Sequence, residues 1–194
     1  MIVAADVETG GLQPYYHEAI GICLLPLNPD FSVNEKIPAF ETDVKPDFPD
    51  RLDPRALKVN GKTKEELEQA PTRAETIAAF IKWHKDYVIP SGRKTMDVIA
   101  QNWSFDKPML MAWLDRDNKQ PNCISTFFHY QVRDVARIAL YLCDRAQRNE
   151  MTLPFGGISL GKICQGLGIE IKDAHTARGD CLMTAAAYKK LVEL

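Results

Sequence analysis

The chain has 194 residues, 45% of them apolar, enough to bury one substantial core and short for two, so a single domain over residues 1–194 is expected. Its 24 basic and 26 acidic residues argue against the strongly basic coat of a duplex-binding protein, but leave room for a compact site where metal cations meet phosphate. The five cysteines (Cys23, Cys123, Cys143, Cys164, Cys181) are scattered without a C-x-x-C pair, which argues against structural zinc and for reduced thiols.

The chain opens directly on the strand-like Ile2-Val3-Ala4-Ala5, and no apolar run of membrane-spanning length follows. A cytoplasmic protein without a membrane partner is the expectation. Met1 to Val7 reads as a first strand. After the Gly10-Gly11 turn, two more β-prone runs cover about His17 to Leu27 and Ile37 to Val44. Asp53-Pro54 is an N-cap followed by proline at the first helical position, so a helix is predicted from there. Thr72 and Glu75 form a capping box, and Ile77, Phe80, Ile81, His84 and Val88 recur at helical spacing.

Asp97 to Gln101 reads as a short buried strand. Ser104 then caps a helix with Leu110, Trp113 and Leu114 inward. A strand near Thr126 to Val132, a helix from Asp134 to Ala146 and a polar loop from Gln147 to Gly157 follow. Two last helices cover about Ser159 to Leu167 and Gly179 to Leu194. Strands first, then strands interleaved with helices, describe an α/β layer fold with a mixed sheet.

Three places carry the acids that metal-assisted phosphodiester cleavage needs, namely carboxylates converging on cations about 4 Å apart. In Asp6-Val7-Glu8, residues two apart on a strand point to one face, so both acids emerge side by side and repel each other unless a cation lies between them; as an alternative, the strand has ended and both are solvated. Asp106 ends Gln101-Asn102-Trp103-Ser104-Phe105-Asp106, in the first turn of a helix that follows a buried strand, although an acid there also suits the helix dipole alone. In His175-Thr176-Ala177-Arg178-Gly179-Asp180, residues five apart diverge on a regular helix. His175 and Asp180 share a site only with His175 on the loop and Asp180 in the opening turns, and Gly179 suits that transition. As an alternative, Asp180 serves as an N-cap and His175 is a surface loop residue.

The ordered set of acid-x-acid, Asn-x-x-Phe-Asp and His-x-x-x-x-Asp resembles the DEDDh group of 3′–5′ exonucleases in the ribonuclease H-like superfamily. Proofreading exonucleases, ribonuclease T and oligoribonuclease belong to that group. Between these motifs, Ala56 to Thr63 looks like the group's Val-His-Gly-Ile segment, Arg133 to Arg137 its Asp-Thr-Leu helix start, and Ser159 to Ile169 the short helix before the last motif. The resemblance implies a ribonuclease H-like mixed five-stranded sheet flanked by helices. It also implies two Mg2+ or Mn2+ ions held by Asp6, Glu8, Asp106 and Asp180, with His175 as general base. Thr9, Leu12, Asn60, Asn102 and Phe105 would line the pocket for the 3′-terminal nucleotide.

The implied partners are 3′ ends of single-stranded DNA or RNA, with DNA favoured, and a homodimer or a polymerase or repair partner stays open. An exoribonuclease or oligoribonuclease, a phosphodiesterase of small nucleotides and a catalytically silent nucleic-acid-binding module are the alternatives. The sequence departs from the group's pattern at Gln101 and Asn60, where histidines are usual, and at Arg178-Gly179, where a small or apolar pair is usual; Arg178 reads as a solvated side chain or, alternatively, a phosphate contact. Gly156 to Lys162 fits the start of a phosphate-binding loop, but Ile163 stands where a Ser or Thr hydroxyl is needed. Trp83, Trp103 and Trp113 read as core.

Overall fold

The computed structural model describes residues 1–117, 119 and 123–194. β1 (Ile2–Thr9) and β2 (Ala19–Leu27) are apolar runs long enough to be buried on both faces, and they pair antiparallel at the centre of the sheet. β3 (Phe40–Asp43) continues the meander, while β4 (Asp97–Ala100) and β5 (Arg133–Asp134) join on the other side in parallel. The order is β3-β2-β1-β4-β5, a mixed five-stranded sheet as the resemblance implied.

The α-helices are α1 (Pro54–Asn60), α2 (Lys64–Glu68), α3 (Arg73–Trp83), α4 (Trp103–Leu114), α5 (Cys123–Phe127), α6 (Val135–Arg148), α7 (Leu160–Leu167) and α8 (Ala177–Leu191), with α3 running on into a π-helical stretch, His84–Val88. Strand alternation divides the core. Val3, Ala5 and Val7 pack with Phe80, Trp103, Met109, Leu110 and Trp113 of α3 and α4. On the opposite face, Ala4 and Cys23 pack with Ala139, Ile163, Cys181, Ala185 and Tyr188 of α6, α7 and α8. Asp6 and Glu8 continue the Ala4 row, so both acids point to the side that α8 covers.

β4 pairs with β1 only through Ile2 to Ala5. Beyond Ala5, β1 outruns its neighbour and leaves one edge open from Asp6 onward.

Asp53 and the Thr72–Glu75 box cap α1 and α3 as expected, and a second capping box, Thr63 with Glu66, starts α2. The strand expected over Thr126 to Val132 shrinks to an isolated parallel bridge between Phe128 and Met96: Cys123–Phe127 is helical and β5 is only Arg133–Asp134. The reason is packing. Ile124, Phe127 and Phe128 all meet the same core, with Phe80 against both phenylalanine rings. Positions i, i+3 and i+4 share a face on a helical turn, whereas neighbours on a strand point apart. No helix among the described residues is long and apolar enough to cross a membrane.

Candidate active site

Asp6 and Glu8 leave β1 side by side and Asp180 meets them from the first turn of α8. Carboxylate oxygens of all three lie within 4.8 Å of one another. Glu8 is only 8% exposed. Burial first, then the charges of Asp106, Glu8 and Asp180, hold the Asp6 carboxyl well above the usual carboxylate range. Burial and Asp180 push Glu8 up to about 7, against the opposing Lys62 ammonium. Burial also raises Asp180, opposed by the backbone N–H and the ring of His175. Acids packed so closely need cations to ionise together, and an all-oxygen donor set fits a hard divalent ion such as Mg2+ or Mn2+.

Asp106 lies outside that three-acid group but close to it. Its side chain is 3% exposed and accepts the N–H of Val7, a donor that the missing stretch of β4 leaves free. Burial outweighs that bond and its own backbone N–H, pushing Asp106 up to about 8. So α4, which packs on the opposite face of β1 from α8, delivers Asp106 around the open edge.

The expected cap of α4 needs correction. The helix starts at Trp103, with Asn102 at the N-cap position in the left-handed region (φ 66°), and Ser104 donates to the Asn102 side chain at 2.6 Å. Asn102 caps nothing. Instead, Asp134 at the end of β5 accepts the N–H groups of Asn102 (3.2 Å) and Trp103 (2.9 Å) as well as those of Ala136 and Arg137 in α6.

The last helix starts two residues earlier than expected, at Ala177, with Thr176 rather than Asp180 as its N-cap. His175 stands exposed on the preceding loop with φ 66°, and its backbone N–H donates to Asp180 at 3.3 Å. Gly179 makes this arrangement fit. A Cβ there would lie 2.1 Å from the Asp173 carbonyl oxygen. The glycine's use is therefore close approach of the loop to the helix, not a helix boundary.

Beside Glu8 opens a cavity of about 430 Å³ lined by Thr9, Leu12, Asn60 and Phe105, with Arg55, Ala56 and Val59 of α1. Asn60 Nδ2 donates to the Thr9 carbonyl at 2.9 Å, tying α1 to the end of β1. Leu12, 78% exposed, stands at the rim. Asn102 takes no part in the lining: it is exposed and turned toward Ser104.

Val59 lies in the segment Ala56 to Thr63 that resembles the group's Val-His-Gly-Ile, but no place in the pocket was expected for it. A second cavity of about 240 Å³ on the other side of Glu8 includes Asn60, Lys62, Asp43 and Thr176. Lys62 pairs with Asp43 at 2.5 Å, directly after Gly61, which ends α1 at φ 65°. Arg178 pairs with Glu41 at 3.0 Å. In the loop Gly156 to Ser159, the Ile158 carbonyl accepts the Gln101 amide at 2.7 Å.

The sequence model of the exonuclease family (RNase_T) matches residues 3–188. No curated protein matches the chain. Among solved structures, exonuclease I in the study "The structure of exonuclease I suggests how processivity is achieved" superposes with a TM-score of 0.74 at 20% identity, over 99% of this chain and 40% of that one. E. coli exonuclease I with a dT13 oligonucleotide gives 0.71 at 20% identity, over 97% and 40%. Cell-death related nuclease 4 (CRN-4) gives 0.72 at 18% identity, over 99% and 63%. At these identities the likeness is one of fold, and the chain spans about two fifths of the length of exonuclease I.

Proposed function

Because the chain belongs to the exonuclease family, within the DEDDh group of the ribonuclease H-like superfamily, we propose that it is a metal-dependent enzyme that removes nucleotides one at a time from the 3′ end of a single strand. The convergence of Asp6, Glu8 and Asp180 oxygens within 4.8 Å, next to a cavity of about 430 Å³, carries this reading. The product is a 5′-mononucleotide, and DNA is favoured over RNA. That exonuclease I, a protein of this fold, was crystallised with a dT13 oligonucleotide supports a single-stranded substrate.

Asp6, Glu8 and Asp180 would hold the cations, and Asp106 would complete the set from the open edge of β1. When bound, two Mg2+ or Mn2+ ions supply an acidified water and neutralise charge on the leaving oxygen. The exposed His175 imidazole takes the water's proton. The water oxygen bonds to the last phosphorus, the bond to the 3′-oxygen of the shortened strand breaks, and that oxygen regains a proton from solvent. Thr9, Asn60 and Phe105 hold the terminal nucleoside, with Leu12 at the rim against the next base. A paired end would first have to fray to enter.

The test is digestion of 5′-labelled single-stranded DNA and RNA of matched sequence with Mg2+ and with excess chelator. Wild type should give a descending ladder that chelator stops, faster on DNA. Asp6→Ala should fold and give none. Release by that variant at the wild-type rate would reject the site, and chelator-insensitive binding without cleavage by wild type would mark a silent binding module.

A further inference from the structure

The acid cluster depends on α4 being held at one height against β1, because Asp106 sits in the helix's first turn and reaches the edge N–H of Val7. The N-terminal N–H groups of a helix ordinarily find their acceptor in the preceding residue's side chain. Here that residue, Asn102, is left-handed and makes no capping bond. The acceptor comes from Asp134, 31 residues away from Trp103 in the chain.

One Asp134 oxygen, Oδ1, accepts from Asn102, Ala136 and Arg137, while Oδ2 accepts from Trp103 alone. One carboxylate thus caps α6 and fastens α4, at the junction where β5 pairs with the end of β4. A second negative charge beside Asp106 works against that acid's ionisation. A neutral amide would avoid that cost and cap α6 equally well. Only a carboxylate offers two acceptor atoms, one for each helix.

We infer that Asp134 is a positioning residue that fixes the start of α4, and through it the place of Asp106, for the cleavage reaction. This inference rests on the proposed role of the acid cluster. Asp134 is not one of the acids proposed to hold the cations; it acts through Trp103 and the first turn of α4.

Asp134→Asn separates the two duties. Its Oδ1 still caps α6 and keeps the 3.2 Å bond from Asn102, but its amide now presents a donor to the Trp103 N–H, and the shorter bond of the tether, the one made to α4 itself, is lost. In amide exchange followed by NMR on the full chain, Trp103 should lose protection while Ala136 and Arg137 keep theirs. The stabilisation of the fold by added Mn2+ should shrink. On single-stranded DNA, kcat should fall roughly 10- to 100-fold, the range for groups that orient metal ligands, with KM unchanged. Retained Trp103 protection, wild-type kcat or failure of the variant to fold would each overturn the inference. Absence of metal-dependent cleavage by the wild type would instead strike the reading of the site. Exchange at Trp103 and the Mn2+ response would still judge the tether.

Discussion

Stripped of divalent cations, the protein should become less stable as pH rises through neutrality, the reverse of the behaviour of ordinary surface carboxylates. Folding raises the Glu8 carboxyl from 4.5 to about 7, because burial and the Asp180 charge disfavour its ionised form. The folded state therefore binds a proton that the unfolded chain has already released. The stability this confers is fully present below the unfolded value and lost as pH passes the folded one. At about 1.4 kcal/mol per pKa unit, the loss between about pH 5 and about pH 8 is about 2–3 kcal/mol for Glu8 alone. Asp106, pushed up to about 8, and Asp6 act in the same direction.

For a chain of this size, that loss corresponds to a fall in Tm of roughly 5–10 °C. Thermal melts in excess chelator across this window read it directly. Adding Mg2+ or Mn2+ should stabilise most at the alkaline end, where the carboxylates are ready to bind and costly to leave unneutralised. Glu8→Gln, with no charge to develop, should flatten the Glu8 part of the dependence and melt above the wild type at about pH 8 without metal. A Tm in chelator that does not fall over this window would refute the reasoning, as would a Glu8→Gln variant as sensitive to pH as the wild type.

Gly179→Ala places a Cβ 2.1 Å from the Asp173 carbonyl oxygen and should cost about 1–3 kcal/mol by overpacking. Because the displaced loop carries His175, kcat should fall more than KM rises; wild-type melting and kcat would show that the loop yields freely. Phe105→Ala removes a ring from the wall of the cavity beside Glu8 and should weaken terminal-nucleotide binding by about 1–3 kcal/mol, seen as a higher KM with Mn2+ binding intact. An unchanged KM would move the nucleoside elsewhere. Glu18→Ala leaves Arg116 paired with Asp47 and strips the N–H groups of Asp47 and Phe48 of their acceptor. About 3 kcal/mol should be lost in denaturant titrations, while cleavage of the folded fraction persists.

What the sequence made legible was local. Two-residue strand periodicity placed Asp6 and Glu8 on one face, Asp53-Pro54 and Thr72–Glu75 marked real helix starts, and a five-residue spacing put His175 on a loop ahead of Asp180. Features decided by distant chain were not legible. The run Thr126 to Val132 is β-prone in isolation, yet three apolar side chains near its start must face one core, and only a helical turn allows that. Asn102 looked like a pocket residue and Ser104 a cap. The cap of α4 is Asp134, and no window short enough to show helical spacing contains both. Val59 became a cavity wall only through the position of α1, which the Asn60 bond to the Thr9 carbonyl ties to β1.

The same division explains why the acids converge. β1 is central and apolar enough to fix the sheet, but it runs four residues past the pairing of β4. On the α8 side of that overhang, Asp180 arrives with the first turn of a helix whose small residues allow close packing on the sheet. At its open edge, Val7 has a free N–H that draws Asp106 in from the other layer. A β4 extended by two residues would satisfy Val7 and shut Asp106 out, giving a better-paired sheet and leaving the other three acids without it. The overhang costs one strand's regular pairing and brings four mutually repelling acids together, the local conflict expected where stability has been yielded to function.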